Sequence, residues 1–151
     1  MKLYDYFLGD WQLTGTSRIL TGHATTMHGT WRFSPLSPDS LLLTENGEMI
    51  MGKTAAPLSF WREYRYQFAG DRVLVYFHDQ PSGNYELYQA YRLDENGHLL
   101  VPDNTYLCAL DTYDARFELD NAHFAQHTWV NGPQKDYRLD KELQRDRKSV
   151  V

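Results

Sequence analysis

Hydrophobic and polar residues alternate with period two along most of the chain, in short runs broken by turn-forming residues, the mark of strands with one buried face. From Trp11 the set Trp11, Leu13, Gly15, Ser17, Ile19 opposes Gln12, Thr14, Thr16, Arg18, Leu20, and the next run sets Met27, Gly29, Trp31, Phe33 against Thr26, His28, Thr30, Arg32. Leu41, Leu43 and Glu45 then share a face, followed by Phe60, Arg62, Tyr64, Tyr66, Phe68 opposite Trp61, Glu63, Arg65, Gln67. Further strands are predicted over residues 72–78, 85–93, 106–119, 123–131 and 135–145, about nine in all. The joints are predicted at Asn46-Gly47, Gly70-Asp71, Pro81-Ser82-Gly83-Asn84, Asn96-Gly97, Asp120-Asn121 and Asn131-Gly132-Pro133, so neighbouring strands form antiparallel hairpins. A helical turn fits only residues 3–8.

A meander of this length hides its edges by packing two sheets or by closing on itself, and regular hairpin spacing favours closure. The fold predicted is all-β: an antiparallel up-and-down closed barrel of about nine or ten strands with a short N-terminal helical turn. One domain spans residues 1–151.

Composition narrows the function classes. The 151 residues include Trp 4, Tyr 11 and Phe 7, which argues against disorder. The net charge of −5 and the lack of a long basic run remove the driving force for nucleic acid. No apolar stretch approaches the roughly 20 residues of a membrane-spanning helix. A single cysteine and a start without a secretory h-region point to a reducing cytoplasm.

Two charges fall on the apolar face. Glu45 and Arg62, on neighbouring strands, are expected to pair with each other, with Tyr64 or Tyr66, or with a ligand's polar end, unless a bulge or strand end turns them to water. The last strand places Lys135, Tyr137, Leu139, Lys141, Leu143 and Arg145 on one parity. Its lysines either snorkel at the barrel rims, the favoured reading, or capture an anion. Cys108, Asp111 and Tyr113 supply a thiol, an acid and a phenol, but parity separates Cys108 from the other two, and a free cysteine is more often a small buried hydrophobe. His123 and His127 lie about 13 Å apart on a strand, too far to share a metal. No phosphate loop, G-x-S-x-G, H-E-x-x-H or paired C-x-x-C occurs.

The opening Phe7-Leu8-Gly9-Asp10-Trp11 resembles the G-x-W signature of the calycin superfamily, the lipocalins and fatty-acid-binding-like barrels. That resemblance implies that Gly9, Trp11 and Arg145 close one end of the barrel. The segments Gly9-Asp10-Trp11, Glu45-Asn46-Gly47, Arg62-Glu63-Tyr64, Cys108-x-x-Asp111-x-Tyr113 and the tail Trp129 to Tyr137 are similar to a bacterial calycin-like family of unknown function. It adds no reaction, and its usual histidine before the cysteine is replaced here by Tyr106-Leu107. It marks Glu45, Arg62, Cys108, Asp111, Tyr113, Lys135, Asp136 and Tyr137 for testing.

The first functional expectation is a binding module for a small amphipathic or hydrophobic molecule, with ligand-binding residues Glu45, Arg62, Tyr64, Tyr66, Cys108, Asp111, Tyr113, Lys135 and Tyr137. The expected apolar lining is Trp31, Phe33, Leu43, Tyr64, Tyr66, Phe77, Tyr113 and Phe117. Alternatives are an isomerase, lyase or hydrolase using Glu45 or Asp111 as acid or base, haem held by a histidine, and a protein-interaction barrel or homodimer using outward-facing Trp61. No catalytic residue, metal or cofactor is assigned.

Overall fold

Each alternating run becomes a strand, and the strands close into a ring. The computed structural model describes residues 2–19, 24–52, 56–78, 86–103, 106–108, 111–133 and 136–146, with backbone alone at 19, 106–108 and 111–113. A five-residue helix α1 (Leu3–Phe7) precedes β1 (Gly9–Ile19), β2 (Thr25–Ser37), β3 (Ser40–Met51), β4 (Leu58–Ala69), β5 (Arg72–Phe77) and β6 (Leu87–Leu93). Then follow β7 (Leu99–Pro102), β8 (Tyr106–Cys108), β9 (Asp111–Leu119), β10 (His123–Asn131) and β11 (Asp136–Arg145). All pairings are antiparallel, and the order β10-β11-β1-β2-β3-β4-β5-β6-β7-β9 closes through β9–β10 into a ten-strand barrel, with β8 a short extension along β9.

The parity of β1 to β4 sets the core: Trp11, Leu13, Trp31, Phe33, Leu41, Leu43, Tyr66 and Phe68 are buried, while Gln12, Thr30, Arg32 and Trp61 face water. Helix α1 plugs one end. Leu3 and Phe7, four apart and so on one face, point into the barrel, where Phe7 meets the rings of Phe33, Tyr66, Phe68, Phe117 and Phe124. Trp11 Nε1 donates to Phe7 O at 2.9 Å and ties strand to plug. The Arg145 guanidinium lies 4.1 Å over the Trp11 ring and donates to the carbonyls of Leu8 and Tyr6, which receive the chain as it leaves the helix. Gly9 stands there at φ +115°, a conformation side chains rarely adopt, and a Cβ would sit 3.3 Å from Arg145 Nη1.

Three sequence expectations need correction. Asn46-Gly47 is no turn: it lies inside β3, with Gly47 opposite Gly29 on one side and Phe60 on the other. A Cβ on Gly47 would fall 2.4 Å from His28 O and 2.8 Å from Phe60 Cζ, so the glycine permits close approach rather than reversal. The run 106–119 is two strands, the hairpin pair β8 and β9 with Cys108 opposite Asp111. Strand β7 was not anticipated, because Leu99–Pro102 is too short to show alternation and ends in proline. Asn96-Gly97 turns the chain between β6 and β7, with Gly97 at φ +74°. The predicted Pro81-Ser82-Gly83-Asn84 turn lies outside the described residues.

Candidate functional site

Away from the α1 plug the rings give way to a cavity of about 300 Å³. Its walls come from β2 to β6 on one side and β10 and β11 on the other, with Trp31, Leu43, Tyr64, Tyr66, Phe77, Tyr88 and Tyr91 facing Gln126, Thr128, Val130, Tyr137, Leu139 and Lys141. A second chamber of about 320 Å³, with Met27, Met49, Met51 and Phe60 in its wall, adjoins it. Both chambers share Arg62, Tyr137, Leu139 and Lys141.

Glu45 is 2% exposed, so its charge requires partners. Trp31 Nε1 donates to Glu45 Oε2 at 2.6 Å, and Lys141 Nζ donates to the same oxygen at 2.7 Å while lying 5.4 Å from the centre of the Trp31 ring. Trp31 is directly opposite Glu45 in the β2–β3 register, whereas Lys141 reaches across from β11. Gly15 opposite Lys141 contributes to this fit, since a Cβ there would lie 2.7 Å from Met27 Cγ.

Arg62 is the register partner of Glu45 but not its ion-pair partner, contrary to the first option raised from sequence. It sits solvent-exposed at the mouth, on the wall of both chambers, and its guanidinium is favoured in the charged form by the neighbouring Tyr64 side chain first and by Glu45 after it. Burial pushes the Tyr66 and Tyr91 phenols well above the ordinary tyrosine range, so both are neutral hydroxyls at physiological pH. Tyr64, Phe77 and Tyr88 form one aromatic cluster, with centroids 4.8–6.0 Å apart and interplanar angles of 28–39°.

Of the residues singled out from sequence, the structure brings Glu45, Arg62, Tyr64, Tyr66 and Tyr137 to the two chambers. Lys135 and the side chains of Cys108, Asp111 and Tyr113 lie outside the described residues. Phe33 and Phe117, expected as lining, belong instead to the packed end around Phe7. Lys141 is no rim lysine: its side chain is 13% exposed and ion-paired inside the barrel. Tyr88, Tyr91, Gln126 and Thr128 were missed. A register bulge between Val75 and Tyr76 obscures the β6 parity, and mixed polarity hides the inner face of β10.

Among the described residues no histidine lines either chamber. His123 contacts Glu142, and His127 Nδ1 pairs with Asp140 Oδ1 at 2.5 Å, both linking β10 to β11. Among the described residues no group of three or more His, Cys, Asp and Glu could hold a metal ion. None of their helices is long and apolar enough to cross a membrane.

The cavity-bearing barrel has relatives of known structure. An S-type phycobiliprotein lyase, CPES, from Guillardia theta superposes with a TM-score of 0.68 at 8% identity, covering 97% of this chain and 94% of that one. Rv2717c from M. tuberculosis superposes with a TM-score of 0.62 at 16% identity, covering 93% of each chain. EF1p2_mFAP2b, solved bound to DFHBI, gives 0.50 at 15% identity, covering 96% and 98%. Identities this low establish a shared fold. No curated protein matches the sequence. The model of a family of unknown function, DUF6314, matches residues 7–145, nearly the whole barrel, and the chain belongs to that family.

Proposed function

We propose that this barrel binds a small amphipathic molecule in its internal cavity. The observation that carries the reading is the asymmetry of the interior. One end is filled by α1 and a cluster of rings, while the other keeps about 300 Å³ of space walled by tyrosines and aliphatic side chains around a few polar groups. Selection for stability alone favours a filled core, because each unfilled volume forfeits packing. A retained cavity with convergent hydroxyl, amide and cationic groups has the chemistry of a ligand site. Two barrels that share the fold are described by a small molecule or its handling, a phycobiliprotein lyase and a DFHBI complex, which supports the reading without naming a ligand.

Glu45 accepts hydrogen bonds from both Trp31 and Lys141 and is therefore engaged in holding the cavity wall, which favours binding over acid–base catalysis at this carboxylate. Trp31 lines the chamber and supplies an intrinsic reporter. Titrating purified protein with a panel of aromatic and aliphatic metabolites should raise the melting temperature and change tryptophan fluorescence for at least one chemical class. A Trp31→Phe variant should keep the thermal shift and lose most of the fluorescence change. Absence of both responses across the panel contradicts the proposal.

A further inference from the structure

We infer that the cavity selects a flat aromatic monoacid, with its ring held among the aromatic side chains of the inner chamber, Tyr64, Phe77 and Tyr88 included, and its carboxylate held by Arg62 at the mouth. This rests on the cavity-binding reading and adds the chemical class of the ligand.

Charge sets the first half. Among the described residues, the two chambers present one carboxylate, Glu45, and two cations, Arg62 and Lys141. Lys141 is committed to Glu45 at 2.7 Å, and that pair is neutral overall. The uncompensated positive charge is Arg62, in a chain whose net charge is −5. The Arg62 guanidinium has five N–H donors in a planar fork that matches the two oxygens of a carboxylate. The buried hydroxyls of Tyr66 and Tyr91 are neutral and add no repulsion to an anion. Arg62 stands where the two chambers meet, so an acid bound there leaves its body in the inner one.

Shape sets the second half. Tyr64, Phe77 and Tyr88 cluster with ring centroids 4.8–6.0 Å apart, and Trp31, Tyr66, Tyr91 and Tyr137 complete an aromatic lining of the inner chamber. A flat conjugated system placed among aromatic side chains gains offset or edge-to-face ring contacts, whereas a flexible chain gains none and loses rotamer freedom on entry. The volume of about 300 Å³ is at the lower end of small-molecule sites, which suits one or two fused rings.

The test is calorimetric titration at low ionic strength with three probes: 2-naphthoate, its neutral isostere 2-naphthamide, and octanoate. For the natural chain, 2-naphthoate is expected to bind about tenfold or more tightly than either of the others. In Arg62→Met the preference for 2-naphthoate over 2-naphthamide should fall to near one, with 2-naphthamide binding retained. Arg62→Gln serves as a second variant if Arg62→Met does not fold by circular dichroism. Equal binding of 2-naphthamide or octanoate by the natural chain overturns the ligand class while leaving the cavity reading intact. A preference that survives both substitutions overturns the assignment to Arg62. Failure of all three probes to bind overturns the cavity reading and this inference with it.

Discussion

Lys141 and Glu45 show how one contact shapes the interior. Both are nearly buried, and Glu45 holds its position by accepting from Trp31 as well as from Lys141. Removing one partner leaves an uncompensated charge, so Lys141→Met is expected to cost about 3 kcal/mol in denaturant unfolding. Adding Glu45→Met should recover part of that loss, and simple additivity of the two losses would show that the pair is not coupled. The inward direction of Glu45 was legible from its parity with Leu41 and Leu43. Lys141 was legible only as sharing a face with Leu139 and Leu143, because its choice between rim and interior depends on a reach from β11 to β3 that strand spacing does not encode. Arg62 followed parity to the cavity wall, and its distance from the plug decides that it meets water there.

At the scale of elements, α1 and β3 carry the architecture that makes the cavity possible. Phe7 is fully buried and touches five other rings besides Trp11's neighbour Tyr6, so Phe7→Ala should cost about 3–5 kcal/mol and open the plugged end. Gly47→Ala is expected to destabilise by about 1–3 kcal/mol, because the added methyl meets a backbone oxygen on β2 that has little room to move. An unchanged unfolding midpoint would show that β2 and β3 separate without penalty. The strands themselves were readable wherever six or more residues alternate. Reading failed at Gly47, where a glycine that clears space looks like a glycine that turns, and at β7, whose four residues carry too little pattern. The cavity lining followed the same rule: Tyr64 and Tyr66 on the regular β4 were identified, while Tyr88 beside the β5–β6 irregularity was not.

For the whole molecule, closure through β9–β10 and burial of tyrosines at the interior predict a distinctive alkaline response. The Tyr6 hydroxyl donates to Asp120 O at 2.5 Å, and burial is the main reason that its pKa is raised to about 12, while Tyr66 and Tyr91 are raised well above their ordinary value. In the unfolded chain these phenols ionise near about pH 10. Their neutral form therefore contributes stability that is fully present below that pH and is lost as the pH rises through about 10 to 12 and beyond. Unfolding midpoints should fall across this window, and Tyr6→Phe should make the fall shallower. A spectrophotometric titration at 295 nm in which every tyrosine ionises near pH 10 in the folded state would contradict the burial.

The central claim is that the space beyond the plugged end is a ligand site, and a crystal structure of the 2-naphthoate complex tests it most directly. The account predicts ring density beside Tyr64, Phe77 and Tyr88 with the carboxylate within hydrogen-bonding distance of Arg62. Density confined to the outer surface, for example beside exposed Trp61, or a cavity filled by side chains with no room for the ring, would contradict it.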